Sequence, residues 1–346
     1  MLDDRKIKVL YAIINSHILS AEPIGSRTIS KDYNLGVSSA TIRHEMSDLE
    51  DQGYLNKPHS SAGRIPSDKA YRLYVDEILK IKKPTIDLIK KDKIKQILSS
   101  GTSEIEQLIQ NSAKVLSAVT SYTALVITPQ AKESRLKHIE LVPIDNRQIL
   151  MVLVSASGVV KNSIIRMDEE FSKDQIMIIS NFLNQKLKGL TIEEINEMMT
   201  IEIFKDLFQF KDILENMLPI ISQSLEEIDN IDLYSDGITK ILNFPEYKDI
   251  EKAKSFISFI ENKDLVVDLM LNNLMEDDID ITIGSENIYD PIKDCSLITA
   301  TYRLGDKTIG KIGVIGPTRM DYLKVIDIMH LFSVNITEII DMLLGK

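Results

Sequence analysis

The strongest constraint on how this chain can fold is an order of local signals over residues 6–66: three short helical patterns, a tight turn between the last two, then a basic hairpin bounded by prolines. Ile7, Leu10, Tyr11, Ile14 and Ile18 recur at spacings of three and four, which predicts a helix over residues 6–18 with one buried face. Pro23 and Gly25 break the chain, and Ser26–Tyr33 reads as a short second helix closed by the turn formers Asn34 and Gly36. In the third helix, Ser38 or Ser39 can accept a backbone N–H at the start, and Ile42, Met46 and Leu49 form the buried stripe. Ala40, Thr41, His44 and Ser47 then point away from the core, with Arg43 on the flank. Tyr54–Lys57 and Arg64–Ile65 can pair as strands around the flexible tip Ser60-Ser61-Ala62-Gly63.

Two short helices joined by a tight turn, the second starting with small, hydroxylic and basic side chains, suit a helix that enters the major groove of DNA by its N-terminal residues. Arg43 has the planar fork that reads guanine bidentately, and Arg27, Ser38, Ser39, Thr41 and His44 are candidates for bases or phosphates. The hairpin, the position of the wing in a winged helix-turn-helix, adds Lys57, His59, Ser60, Ser61 and Arg64 without an acid. Two plainer readings compete: a helical hairpin with a solvated face, and a charged hairpin that protects a sheet edge.

The runs Glu22–Thr28, Ser39–Arg43, Met46–Glu50, Gly53–Leu55 and Pro58–Pro66 resemble the heat-inducible transcription repressor HrcA family. Pro245-Glu246, Ile283–Asn287 and Gly313–Tyr322 resemble later motifs of the same family, so the likeness reaches both ends of the chain. The resemblance implies a repressor of chaperone operons that binds an inverted-repeat operator in double-stranded DNA as a homodimer and is kept active by the GroE chaperonin. It also implies a GAF-like α/β domain split by an inserted dimerising domain.

A net charge of −11 argues against a nucleic-acid binder until it is divided along the chain. Residues 1–83 hold 13 basic and 11 acidic side chains, the remainder 28 and 41, so the basic excess is confined to the N-terminal part. An acidic body repels DNA and leaves one small surface to dock. One cysteine, Cys295, excludes an internal disulfide framework and a cysteine-based zinc finger. The charged start and the lack of long apolar runs predict a cytoplasmic protein without a membrane segment.

At 346 residues the chain suits two or three domains. The expected class is α+β, multidomain. The expected division is a winged helix-turn-helix DNA-binding domain at 1–79, a linker at 80–103, a first GAF-like part at 104–168, an inserted and largely helical dimerising domain at 169–248, and a second GAF-like part at 249–346. Lys80–Pro84 marks the linker start, and the Lys- and Ile-rich segment to Ser100 reads as helical but weakly anchored, a hinge for the reading heads. Strands are expected at 122–128, 138–142, 149–155, 159–166, 279–283, 297–304 and 308–315, and a last amphipathic helix at 321–344. The hairpin 147–167 fits either the split domain or the insert.

Gly305–Lys311 has the glycine and lysine spacing of a phosphate-binding loop, but Ile312 stands where Ser or Thr should hold magnesium, and a hairpin turn explains the glycines better. The five histidines show no metal-ligand spacing and no catalytic constellation emerges, so no enzyme activity, cofactor or metal is expected. A second reading is a metabolite-sensing winged-helix regulator, with Ser285-Glu-Asn287 lining a pocket of the GAF-like domain; a turn and helix cap is the alternative for those residues.

Overall fold

The computed structural model describes residues 2–59, 62–81, 88–99, 104–128, 135–156, 160–191, 193–195, 210–229, 231–272, 278–304 and 307–343. The mixed helix-and-sheet, multidomain class expected from the sequence is the class observed.

The N-terminal unit comprises α1 (Asp4–Ser20), α2 (Ser26–Asp32), α3 (Ser39–Asp51), the two-residue strands β1 (Leu55–Asn56) and β2 (Ile65–Pro66), and α4 (Asp68–Ile81). Asp3 starts α1 by accepting the Lys6 N–H at 2.8 Å. Leu10, Ile13, Ile14, Ile29, Ile42, Leu49, Leu55 and Val75 are buried together in one core; the stripe expected on α3 is buried, whereas on α1 Ile7, Tyr11 and Ile18 are half-buried and Val9 and Ile13 take their place inside. The β1–β2 hairpin gains a third partner, because Ile24 bridges Arg64 through bonds of 2.8 and 2.9 Å.

The larger body is a five-stranded antiparallel sheet of β3 (Thr123–Ile127), β7 (Leu233–Asp236), β8 (Ile279–Ile283), β9 (Cys295–Leu304) and β10 (Lys307–Pro317), in the order β7-β3-β10-β9-β8. Alternation along β3, β9 and β10 sends Val126, Ile298, Ala300, Ile312 and Val314 to one face. There α5 (Leu88–Ser99), α6 (Ile105–Thr120) and α11 (Tyr322–Leu343) pack. Leu125, Ile127, Leu297 and Ile315 turn to the other face, under α9 (Ile250–Glu261) and α10 (Lys263–Asn272).

Between β3 and β7 the chain builds a separate unit: a three-stranded antiparallel sheet of β4 (Leu136–Pro143), β5 (Gln148–Ser155) and β6 (Val160–Arg166), covered on one face by α7 (Lys173–Leu187) and α8 (Lys211–Asp229). It has its own core, in which Ile139, Met151, Leu153 and Ile165 meet Ile176, Ile179, Leu214 and Ile221.

Three expectations need correction. The boundary at 168/169 cuts this unit in two, since β4–β6 share a core with α7 and α8 and pair with no strand of the larger sheet; of the two places open to the hairpin 147–167, it packs in this unit, beside the helices. Likewise β7, expected inside the insert by the boundary at 248/249, pairs with β3 of the larger sheet. The segment before Ser99 is firmly anchored: Ile94 and Leu98 are buried, Lys91 and Lys95 both bind Glu338, and Asn335 donates to the Lys91 carbonyl at 3.2 Å. Only 82–87 and 100–103 of the expected linker lie outside the described residues. Leu304 pairs with Lys307, so Gly305–Lys311 spans a β-hairpin, with residues 305–306 outside the described set.

Candidate nucleic-acid interface

The Ser38 hydroxyl caps α3, accepting the Thr41 N–H at 3.2 Å and lying 3.0 Å from the Thr41 hydroxyl. Such a cap stabilises a helix by about 1 kcal/mol. It leaves the first backbone N–H groups of α3 pointing outward, a position suited to a phosphate. On the outer side of α3, Ala40, Arg43, His44 and Ser47 are exposed, as the helical period requires, and Ile42, Met46 and Leu49 are buried.

Facing Arg43 are Arg27 of α2 and Lys57 after β1, both exposed. Together with Gly25, Ser26, Gly63 and Arg64 they line an open cleft of about 380 Å³ between α2, α3 and the hairpin. Arg27, Arg43 and Lys57, which are 16 and 14 residues apart in sequence, thus converge as three cations. Ser39 and Thr41 are half-buried at the start of α3, and His59 is exposed on the hairpin; Ser60 and Ser61, the expected tip, lie outside the described residues.

Arg64, a candidate DNA contact that also lines the cleft, is paired within the fold. Its Nε donates to Glu50 Oε2 at 2.7 Å and its Nη2 lies 2.6 Å from the same oxygen, so the guanidinium fastens the hairpin base to the end of α3. His44 is largely exposed, with Nδ1 3.7 Å from Asp48 Oδ1.

Glu45 is a residue that the sequence reading passed over. It is buried, 3.5 Å from Arg5 and 3.3 Å from Lys6, and ties α3 to α1. Hydrogen bonds to Asp48 and Glu45 hold the Lys6 ammonium above its ordinary pKa, so it stays charged. Gly63, read from the sequence as part of a flexible tip, has a steric role there: a Cβ would sit 2.4 Å from the Ile24 carbonyl oxygen, so the hairpin can pass the Ile24 backbone only at glycine.

The second candidate site, Ser285-Glu-Asn287, is occupied by the fold itself. The buried Asn287 amide donates to the carbonyls of Gly284, Ile292 and Cys295, and its oxygen accepts from Thr282 at 3.0 Å. Glu286 pairs with Arg72. Cys295 is buried against Tyr247, at 2.8 Å, and burial pushes its thiol up to about 12. Among the described residues no cluster of His, Cys, Asp or Glu is arranged to hold a metal ion, and no helix is long and apolar enough to cross a membrane.

Residues 106–326 match the family described as HrcA protein C terminal domain. The chain is 45% identical over 339 residues to the heat-inducible transcription repressor HrcA of Alkaliphilus metalliredigens, covering 98% of each. With the protein of the same name from Ruminiclostridium cellulolyticum it shares 44% identity, covering 95% of each. In fold it is similar to a hypothetical protein whose crystal structure was determined at 2.2 Å, with a TM-score of 0.73 at 24% identity over 99% of this chain and all of the other.

Proposed function

This chain belongs to the HrcA family of heat-inducible transcription repressors, and on that premise we propose that its N-terminal unit is a winged helix-turn-helix head that blocks transcription by occupying an inverted-repeat operator in double-stranded DNA. The observation that carries the reading is the open cleft in which Arg27, Arg43 and Lys57 converge beside the capped N-terminus of α3, on a chain of net charge −11. Such a surface offers a fork for guanine, cations for phosphate and a helix dipole in one place. The acidic remainder holds the rest of the molecule off the duplex.

The five-stranded body corresponds in this reading to the GAF-like domain, and the unit of β4–β6 with α7 and α8 to the inserted dimerising domain. Support for dimerisation comes from the uncovered face of the three-stranded sheet. There Val142, Leu150 and Ile164 stand in register, Val142 and Ile164 being 44% and 58% exposed, with Val152 and Val154 half-buried beside them. A self-complementary apolar face is what a two-fold interface buries. Control by the GroE chaperonin rests on the family resemblance alone; cytoplasmic location rests on the family together with the lack of long apolar runs in the sequence. No enzyme activity is assigned. A metabolite-sensing role is not favoured, because the polar groups that suggested it are bonded within the fold.

Fluorescence anisotropy of full-length protein on a labelled inverted-repeat duplex and a scrambled one, across a salt series, tests this function. The expected result is tight, steeply salt-dependent preference for the repeat. Equal weak binding to both duplexes overturns it.

A further inference from the structure

We infer that a polar seat between the N-terminal head and the five-stranded body sets the angle at which each α3 is presented, and thereby the half-site spacing that the repressor accepts; the inference rests on the homodimeric reading above. On α4, Arg72 donates from Nε to Glu286 Oε1 at 2.8 Å, from Nη2 to the Ile281 carbonyl at 2.6 Å, and again to the second Glu286 oxygen. One turn earlier, Asp68 accepts the backbone N–H of Ser285 at 2.9 Å. The loop is shaped around that carboxylate: Gly284 has φ +55°, and a Cβ there would lie 2.3 Å from Asp68.

A second contact grips another helix of the head. Arg319, only 10% exposed in its side chain, donates from Nη1 to the Ile18 carbonyl near the end of α1 at 3.0 Å, while Nε and Nη2 bind Glu246. Between the two grips, Tyr71 packs on Tyr322 with ring centroids 5.9 Å apart, and its hydroxyl lies 2.7 Å from His17 Nδ1. The forked Arg72–Glu286 pair is directional as well as attractive, and the Arg319 guanidinium, itself fixed by Glu246, adds a single aimed bond to the end of α1, so the two contacts together hold the head in one orientation. The seat draws on α1 and α4 alone, and Arg43 and His44 of α3 stay exposed, so a seated head keeps its reading face open. On the body side, Glu246, Ser285, Glu286 and Arg319 lie in the later motifs Pro245-Glu246, Ile283–Asn287 and Gly313–Tyr322 and are polar residues outside the DNA cleft.

Rigid heads on a dimer match one separation of half-sites, and loose heads tolerate several. The test uses full-length protein and an inverted repeat enriched by the wild type from a randomised duplex library, together with versions in which the half-sites are moved apart by up to 5 base pairs and a single half-site. For the wild type, affinity is expected to fall about tenfold or more when the spacing shifts by half a helical turn. Arg72→Glu and Glu286→Arg, tested singly, should flatten that dependence to within about threefold while leaving single-half-site affinity unchanged, which also reports an intact head. The double exchange should restore the dependence. Undiminished spacing dependence in both single variants overturns the seat. A wild type that binds the repeat no better than the single half-site overturns the homodimeric reading instead.

Discussion

Arg64 lies on the basic hairpin yet turns its guanidinium inward to Glu50, whereas Arg27, Arg43 and Lys57 remain open to the cleft. The two kinds of position respond differently to truncation. Arg64→Ala should lower the stability of the N-terminal unit by about 1–2 kcal/mol, read as a lower melting temperature by circular dichroism, and leave the salt slope of DNA binding unchanged. Lys57→Ala should leave stability unchanged and reduce the slope by about one unit, as expected for a phosphate contact. For Arg43→Ala a loss of roughly 1–3 kcal/mol that varies with one base pair of the site is expected; a uniform loss across sequences would move Arg43 to the backbone. The Ser38 cap was legible because it depends on a residue three positions away. The Arg64–Glu50 pair was not, because it forms only after the hairpin has folded back across 14 residues.

Among the elements, the hairpin depends on glycine where it crosses Ile24. Gly63→Ala would drive a methyl into the Ile24 backbone, and the bridge of 2.8 and 2.9 Å bonds must open to admit it. A destabilisation of about 2 kcal/mol is expected, with hydrogen exchange at Ile24 and Arg64 accelerated before the rest of the unit. The end of α1 carries a pH response. Burial, helped by the nearby Arg319 and opposed by Glu246, lowers His17 from 6.5 to about 4. Between those values the unfolded chain binds the proton and the folded chain does not, so this contribution to stability is complete above about 6.5 and is lost as pH falls toward 4. His17→Gln should flatten the acid limb of a melting-temperature profile; an unchanged limb would exclude His17 as its source. Periodicity located the amphipathic helices and the half-buried strands, whereas β3, buried at every position, was legible as a short apolar run. It understated α5, whose anchoring comes from Glu338 and Asn335 more than 240 residues away.

On the scale of the whole molecule, the strands were legible but their partners were not. Alternation in β4–β6 looks the same whether a strand joins the large sheet or a separate one, and only the shared core with α7 and α8 assigns them to the insert. That unit leaves Leu150 central on its uncovered face, between Val142 and Ile164. On the proposal that this face forms a homodimer, Leu150→Lys should halve the mass measured by sedimentation without altering the circular dichroism spectrum; an unchanged mass would overturn the assignment of this face. The insert leaves and re-enters the body between neighbouring strands: Thr128 N–H donates to the Asp232 carbonyl at 2.8 Å, and Asp232 N–H returns to the Thr128 hydroxyl at 2.7 Å. Adjacent strands run about 5 Å apart, a gap that a two-residue turn can close. The body is therefore topologically indifferent to what is threaded between those two residues, and a self-associating module of another symmetry spliced there would give the same reading heads a different valence.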